Sequence, residues 1–305
     1  MLIARMGSII MDGRAVSADL MPELRRHAGE LTRRGVAPGL AAVLVGNDPA
    51  SRQYVRNKQR YTAELGFASR LIEVPVKEAS TQHLLDVIDG LNRDPAIAGI
   101  LLQLPLPEAV DPFILFDAIS PLKDVDGVSR SSVAGFYRAQ WGTFIPCTPR
   151  GVLTLLTYYK VPVDGARAAV IGRSDIAGKP LALILGGRMC NATVTWCHRH
   201  TRDLAQICRE SDLLVSCVGV DVGRGFFITA DMVKPGACVI DVGFRRIAPG
   251  RFAGDVDFDA VKEVAGWVTL NPGGTGPMTV LALMQNLIDA ARYQSGLERA
   301  RYSVE

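Results

Sequence analysis

The sequence predicts an α/β fold with two lobes, each built on a mainly parallel sheet, and the second lobe is predicted to be Rossmann-like. Short apolar runs alternate with helical segments along the chain, which is typical of βαβ units. The chain has 305 residues, more than one hydrophobic core usually fills. A glycine-containing turn in the second half joins an apolar run to a helical segment.

Helices and strands alternate in the first lobe. From Ser17 to Arg34 apolar residues recur at helical spacing, and Gly35 follows where such a helix would end. The apolar run at residues 40–46 predicts a strand, and a helix is expected from Ala50 to Leu65. The alternation continues through the segments ASRLIEV, TQHLLDVIDGLN, AIAGILLQL and VDPFILFDAIS.

A second series of elements begins at CTPRGVLTLLTYY, where Thr148 is a candidate N-cap and Pro149 suits the first helical position. Further strands are predicted in ARAAVIG, ATVTWC, DLLVSCVG, ACVIDVG and WVTL. A closing helix is expected from Met278 to Tyr293. We therefore predict a first domain of residues 1–147, joined by the closing segment at about 278–305, and a second domain of residues 148–277.

Composition excludes several classes of protein. Apolar residues make up 48% of the chain and charged residues 21%, as in ordinary globular proteins. The net charge of +3 comes from 34 basic and 31 acidic residues that are mixed along the chain, so no nucleic-acid partner is expected. No stretch reaches the roughly 18 consecutive apolar residues that span a bilayer, so no membrane partner is expected. Six cysteines without a Cys-x-x-Cys pair, and no signal peptide, predict reduced thiols and a cytoplasmic location.

The turn from Gly172 to Gly178 is the candidate cofactor site. Gly172 permits a tight turn, and the next helix N-terminus offers free N–H groups to a pyrophosphate. The spacing departs from Gly-x-Gly-x-x-Gly, so a turn that only joins a strand to its helix is the alternative. Arg173 and Ser174 favour NADP, because an arginine fork suits a ribose 2′-phosphate. Basic residues, among them Arg199, follow the next predicted strand, at the place where NAD enzymes commonly carry an acidic residue for the ribose hydroxyls.

Four residues of the first lobe suit recognition or acid–base chemistry. Tyr54 and Lys58 lie four residues apart, so they share one face of the predicted helix. An aromatic ring at such a position can stack on a flat heterocycle, and a partly buried lysine can exchange protons. A surface lysine beside a half-buried tyrosine is the commoner alternative. Gln103 ends a strand at the edge where ligands bind, and it either orients Lys58 or faces solvent. Asp126 either pairs with donors of a heterocycle or belongs to a simple turn.

Seven motifs follow one another in order along nearly the whole chain: VGNDPASRQYVRNK, GILLQLPLP, PLKDVDG, PCTPRG, VIGRSDIAGKP, VKPGACVIDVG and NPGGTGPMT. In this order they resemble the bifunctional methylenetetrahydrofolate dehydrogenase/cyclohydrolase family. The resemblance implies NADP-dependent oxidation of 5,10-methylenetetrahydrofolate to the methenyl form, then hydrolysis to 10-formyltetrahydrofolate. It also implies a homodimer that pairs through the second lobe. No metal site is predicted from the sequence.

The resemblance assigns a role to each candidate residue by motif position. Lys58 is the catalytic lysine, Gln103 its hydrogen-bonding partner, and Asp126 the anchor of the pterin. The residues assigned to the folate are Tyr54, Lys58, Gln103, Asp126, Pro272 and Gly273. The residues assigned to the cofactor are Gly172, Arg173, Ser174, Arg199 and Phe244, the last beside the nicotinamide.

The chain departs from the family pattern in three places. Arg199 replaces a serine that follows Cys-His, and this arginine either strengthens or obstructs NADP binding. The usual Thr-Pro-Val-Pro-Gly-Gly-Val-Gly carries Leu270, Asn271 and Thr275 instead, which adds polar groups that must find partners. The segment Val220 to Phe227, which includes Asp221 and Arg224, is longer than the family form.

These departures leave other functions open. One alternative is a specialised paralogue with only one of the two activities. Another is a folate- or nucleotide-binding protein without catalysis. A two-lobe dehydrogenase with a shikimate-like or amino-acid substrate is a further alternative, against which Gln103 and Asp126 argue. A serine hydrolase is set aside because the chain has no Gly-x-Ser-x-Gly elbow, and His198 and His200 are expected to be polar strand-end residues rather than metal ligands.

Overall fold

The structure is a computed structural model that describes residues 7–138, 142–219, 226–248 and 251–299. The strands are β1 (Ile9–Met11), β2 (Gly39–Val45), β3 (Ala68–Val74), β4 (Ile97–Gln103), β5 (Arg167–Ile171), β6 (Thr193–Cys197), β7 (Leu213–Ser216), β8 (Cys238–Asp241), β9 (Arg245–Ala248), β10 (Arg251–Ala253) and β11 (Trp267–Thr269). The helices are α1 (Gly13–Arg33), α2 (Pro49–Glu64), α3 (Thr81–Arg93), α4 (Pro112–Ala118), α5 (Arg130–Tyr137), α6 (Cys147–Tyr158), α7 (Gly178–Gly186), α8 (Leu204–Glu210), α9 (Phe258–Val261) and α10 (Thr275–Gln294). The predicted α/β class with parallel sheets is confirmed.

The chain divides into two compact units. The three-strand unit contains the described residues 19–138, 142–147 and 280–299, and its parallel sheet has the order β3-β2-β4. Every residue of the central strand β2 is buried, which explains why this strand is apolar without alternation. Its core includes Val43, Ile100 and Leu84, from two strands and helix α3. The carboxyl ends of β2 and β4 therefore lie side by side at one edge of this sheet.

The six-strand unit contains the described residues 7–18, 148–219, 226–248 and 251–279. Its sheet has the order β1-β11-β8-β7-β5-β6, and all its neighbouring strands are parallel. From β5 the chain moves outward to β6 and then returns past β5 to β7. The strand order therefore reverses between β5 and β7, and ligands of open parallel sheets bind at such a point, outside the carboxyl ends of the strands.

The structure differs from the sequence-based elements in several details. Strand β1 was not predicted; it pairs in parallel with β11, so residues 7–18 lie in the six-strand unit rather than with the rest of 1–147. The antiparallel hairpin β9–β10 was not predicted either. Helix α6 begins at Cys147, so Thr148 lies inside the helix instead of capping it. Asp221 and Arg224 lie outside the described residues.

Candidate functional site

Helix α2 carries two of the candidate residues. Asp48 caps its N-terminus by accepting a hydrogen bond of 2.7 Å from the Ser51 N–H, and Pro49 occupies the first turn. Lys58 and Tyr54 follow one turn apart on the same face. Tyr54 is exposed over 36% of its surface, whereas Lys58 is only partly exposed. The helix therefore presents an accessible ring beside a more deeply placed amine.

Gln103, the last residue of β4, binds the lysine directly. Lys58 Nζ donates a hydrogen bond of 3.0 Å to Gln103 Oε1. The amide nitrogen of Gln103 donates to the Leu104 carbonyl at 2.8 Å, so the amide group is held with its oxygen towards the lysine. The structure thus brings together two residues that are 45 positions apart in the sequence.

The ammonium form of Lys58 is disfavoured by its surroundings. Burial lowers the pKa of Lys58, while the negative charge of Asp126 and, less strongly, the Cys147 thiol raise it. Burial is the largest of these effects, so the net pKa lies below the ordinary value of a lysine. An amine in this condition can gain and lose a proton more readily than a solvated one.

In the loop PLKDVDG, residues 121–127, Lys123 and Asp124 support the backbone, and Asp126 is the candidate functional residue. Lys123 is buried, and its Nζ donates to three carbonyls at the C-terminal end of α3, those of Leu91, Asn92 and Asp94. Asp124 is buried as well and accepts hydrogen bonds from the backbone N–H groups of Gly127 and Ser129 at 3.1 and 2.8 Å. These contacts fix the backbone on both sides of Asp126, which is half-buried and acts electrostatically on Lys58.

Asn286 supports this loop and was not identified from the sequence. Its side chain is fully buried on α10 and donates to the carbonyls of Val125 and Ile145 at 2.7 and 3.0 Å. Cys147 Sγ also lies 3.3 Å from the Val125 carbonyl. A polar residue on the apolar face of the closing helix was the available signal, because a buried amide must find partners.

The glycine turn is closely packed against the loop that follows β7. Gly172 has φ +123°, and a Cβ there would lie 2.6 Å from the Cys217 carbonyl oxygen. A Cβ on Gly178 would lie 2.4 Å from the Gly172 carbonyl oxygen. Both positions thus require glycine. Arg173 and Ser174 are exposed between them, at the N-terminal end of α7.

Arg199 lies at the same edge of the sheet, because β6 is the parallel neighbour of β5. Its side chain is exposed, and its Nε donates a hydrogen bond of 3.0 Å to His200 Nε2. This contact fixes the Nε atom of the guanidinium, whose positive charge lies at the carboxyl end of β6. Phe244, which follows β8, is 40% exposed and stacks on Phe252 with ring centroids 4.6 Å apart.

The loop at 269–276 satisfies the polar groups that distinguish it. Asn271 Nδ2 donates to the Gly243 carbonyl at 2.6 Å, and Thr275 Oγ1 donates to the Asp241 carbonyl at 3.1 Å. Pro272 is exposed, and Gly273 adopts φ +122° with the Arg14 guanidinium beside it. The two polar residues that depart from the family pattern here, Asn271 and Thr275, therefore both donate hydrogen bonds within the six-strand unit.

The structure thus groups the candidate residues in two sets. Tyr54, Lys58, Gln103 and Asp126 belong to the three-strand unit, and the cofactor candidates, with Pro272 and Gly273, belong to the six-strand unit. Among the described residues no cluster of side chains has the composition of a metal site. No described helix has both the length and the apolar character needed to cross a membrane.

Comparison with known proteins decides the family. The model of the tetrahydrofolate dehydrogenase/cyclohydrolase catalytic domain matches residues 11–126, and that of the NAD(P)-binding domain matches residues 146–295. The bifunctional protein FolD of Moorella thermoacetica is 46% identical over 283 residues, which cover 93% of this chain and 98% of that protein. The chain belongs to the tetrahydrofolate dehydrogenase/cyclohydrolase family.

Solved structures of tetrahydrofolate dehydrogenase/cyclohydrolase proteins have the same fold. The bifunctional FolD enzyme of Campylobacter jejuni matches with a TM-score of 0.88 and 36% identity, over 94% of this chain and 99% of that one. The Trypanosoma brucei N5,N10-methylenetetrahydrofolate dehydrogenase-cyclohydrolase, complexed with NADP and an inhibitor, matches with a TM-score of 0.88 and 34% identity, over 95% and 99% of the two chains. The family predicted from the motifs is confirmed.

Proposed function

We propose that Lys58, Gln103 and Asp126 carry the chemistry of both family reactions in this chain, and that the Gly172 turn binds NADP. The protein is a bifunctional enzyme that oxidises 5,10-methylenetetrahydrofolate with NADP and hydrolyses the methenyl product to 10-formyltetrahydrofolate. The hydrogen bond between Lys58 and Gln103 is the observation that carries the assignment of residues. Nothing in the comparisons favours a chain with one activity or without catalysis.

The folate residues act by orientation and proton transfer. Tyr54 stacks on the pterin, and the Asp126 carboxylate accepts hydrogen bonds from pterin N–H groups. Gln103 holds Lys58 so that its amine faces the reacting carbon. In the hydrolysis, neutral Lys58 accepts a proton from the attacking water and delivers it to N5 as the bond between N5 and the carbon breaks. The remaining hydroxyl proton of the adduct leaves to solvent as the C=O bond of the formyl group forms. The lowered pKa of Lys58 favours the neutral form that this step needs.

The residues around Gly172 fit a dinucleotide. The positive φ and the absent side chain at Gly172 let a pyrophosphate approach the backbone, and the N-terminus of α7 supplies N–H groups. Arg173, Ser174 and Arg199 place positive charge and a hydroxyl for the 2′-phosphate, and Phe244 lies at the nicotinamide end. When bound, NADP supplies the hydride acceptor, and the protein contributes orientation.

The direct test follows each reaction separately. The purified protein is mixed with 5,10-methylenetetrahydrofolate and either NADP or NAD, and reduced nicotinamide and methenyl absorbance are recorded independently. We expect reduction of NADP and transient methenyl absorbance that decays by hydrolysis. Silence with both cofactors would remove the dehydrogenase assignment, and stable methenyl absorbance would remove the hydrolase assignment.

Arg199→Ser is expected to raise the KM for NADP about tenfold, because it removes a charged donor to the 2′-phosphate. The KM for NAD, which lacks that phosphate, should not change. Arg188→Ser, an exposed arginine between α7 and β6, is the matched control and should leave both constants unchanged. A lower KM for NADP in Arg199→Ser would show that the arginine obstructs the cofactor.

Asp126→Asn is expected to shift the pH profile of hydrolysis towards lower pH. The carboxylate raises the pKa of Lys58, so its removal lowers that pKa further and the neutral amine forms earlier as pH rises. The measurement is kcat at saturating methenyltetrahydrofolate against pH. Asp117→Asn, a carboxylate that pairs with Arg130, is the control and should leave the profile in place. A shift to higher pH would contradict the proton-accepting role of Lys58.

We also propose that the enzyme is a cytoplasmic homodimer. No disulfide joins the six cysteines, all of which lie in the described part of the chain, and burial raises the pKa of Cys208 to about 12, which suits a protein that keeps its thiols reduced. The dimer is proposed from the family resemblance, with pairing through the six-strand unit. Light scattering after size exclusion tests it: a single species at twice the chain mass supports the dimer, and a monomer at micromolar concentration contradicts it.

A further inference from the structure

Two buried carboxylates lie behind the carboxyl edge of the six-strand sheet. Asp241 ends β8, Asp255 follows β10, and each is only 1% exposed. The segment GDVDF, which contains Asp255, has a composition typical of a simple turn or a helix cap. A buried charge is tolerated only where hydrogen bonds compensate its lost hydration, so the partners of these groups indicate what they hold in place.

Asp255 binds the end of β7 and the loop after it. Its carboxylate accepts hydrogen bonds from Ser216 Oγ at 2.7 Å, from the Val218 N–H at 2.8 Å and from the Gly219 N–H at 3.0 Å. Since β7 is one of the two strands where the strand order reverses, this carboxylate fixes the loop on one side of the expected ligand crevice.

The same loop forms a wall of the candidate cofactor site. A Cβ on Gly172 would lie 2.6 Å from the Cys217 carbonyl oxygen, and the Cys217 N–H donates to Ile171 at 2.7 Å. On its other side, a Cβ on Gly219 would lie 3.5 Å from the Phe244 nitrogen. The loop of residues 217–219 therefore contacts both the glycine turn and the residue assigned to the nicotinamide end.

Asp241 holds Asp255 itself. The Asp241 carboxylate accepts hydrogen bonds from the N–H groups of Gly243, Asp255 and Val256 at 3.0, 3.0 and 3.1 Å. Gly243 and Gly254 make room for the pair, because a Cβ on either would lie within 2.1 Å of a carboxylate atom. The two acids thus connect the loops that follow β7 and β8, and this arrangement exceeds what a turn or cap requires.

We infer that Asp255 is a positioning residue for the NADP reaction, which fixes the loop 217–219 and thereby the shape of the cofactor site. The inference deepens the proposed function and rests on it, since it concerns how NADP is held. None of the described hydrogen bonds of Asp255 reaches a residue assigned to the folate. Its loss should therefore separate the two activities rather than reduce both.

The test compares Asp255→Asn with the wild type. The asparagine keeps the shape but replaces one acceptor oxygen by a donor that faces a backbone N–H or a hydroxyl. We expect the Kd and KM for NADP to rise about tenfold, from the loss of at least one charged hydrogen bond. The kcat/KM for methenyltetrahydrofolate hydrolysis should stay within about twofold, because Lys58 and its partners belong to the other unit.

Two further variants make the result decisive. Asp257→Asn removes a carboxylate two residues away whose described side-chain hydrogen bond caps α9 through the Ala260 N–H, and it should leave NADP binding unchanged. Ser216→Ala removes one of the three bonds to Asp255 and should raise the Kd for NADP about threefold, from a loss near the lower range for one hydrogen bond. If Asp255→Asn does not fold, the Kd of Ser216→Ala for NADP tests the inference instead.

Three results would overturn the inference. They are an unchanged Kd for NADP in both Asp255→Asn and Ser216→Ala, a parallel fall of both activities in folded protein, and an equal effect of Asp257→Asn. Failure of the proposed function has a different signature, because the wild type itself would then show no NADP reduction.

Discussion

Lys58→Ala is expected to lower the rate of methenyltetrahydrofolate hydrolysis by a factor of about 10²–10⁴, the range that a positioned acid–base group contributes. The alanine removes the amine that Gln103 holds at 3.0 Å, and no other described lysine or histidine hydrogen-bonds that amide. Stopped-flow decay of methenyl absorbance measures the rate. Oxidation of methylenetetrahydrofolate should fall as well, to the extent that Lys58 orients the folate.

Controls separate this effect from a loss of fold. Binding of NADP, followed by fluorescence, should be unchanged in Lys58→Ala because the cofactor residues lie in the six-strand unit. Lys77→Ala changes a lysine whose side chain is 82% exposed, and it should leave both activities intact. Unchanged hydrolysis in Lys58→Ala would remove this residue from the mechanism.

Gly172→Ala is the second change with a large expected effect. The new Cβ would lie 2.6 Å from the Cys217 carbonyl oxygen, and φ +123° is strained for any residue with a side chain. The turn must therefore move away from the loop that it packs against. A displacement of about 1 Å at such a site lowers the dehydrogenase rate about hundredfold, and the Kd for NADP should rise in step.

Hydrolysis provides the internal check on this variant. Because no hydride is transferred in that reaction, its rate should remain close to that of the wild type if the three-strand unit is intact. Gly186→Ala is the matched control, since a Cβ there would lie 3.5 Å from Val194, an ordinary contact. Retention of full NADP reduction in Gly172→Ala would contradict the placement of the cofactor at this turn.

The sequence predicted the parts of the fold that depend on local pattern. Strands β2, β4 and β5 are nearly continuous apolar runs because they are buried on both faces, and such runs are recognisable without a structure. Gln103 could be singled out because the end of a parallel strand has a known meaning. The placement alone left open whether Gln103 orients Lys58 or faces solvent, and the family resemblance implied the pairing. The structure contains that hydrogen bond.

What could not be predicted depends on contacts between distant segments. Strand β1 has three residues and is recognisable only through its pairing with β11. Asp255 lies in a segment of turn-like composition, so nothing local distinguishes a cap from a carboxylate that holds another loop 36 residues away. Asn286 was hidden in the same way, since its partners lie more than a hundred residues earlier.

The interleaving of the two units has a consequence for synthesis of the chain. The six-strand unit needs β1, near the start of the described chain, to supply its edge strand, and the three-strand unit needs α10, which follows the other unit in the chain. Domains generally fold from the N-terminus as the ribosome extends the chain. Here the three-strand unit lacks its closing helix until the chain has been extended past residue 279, after some 130 residues of the other unit have emerged from the ribosome.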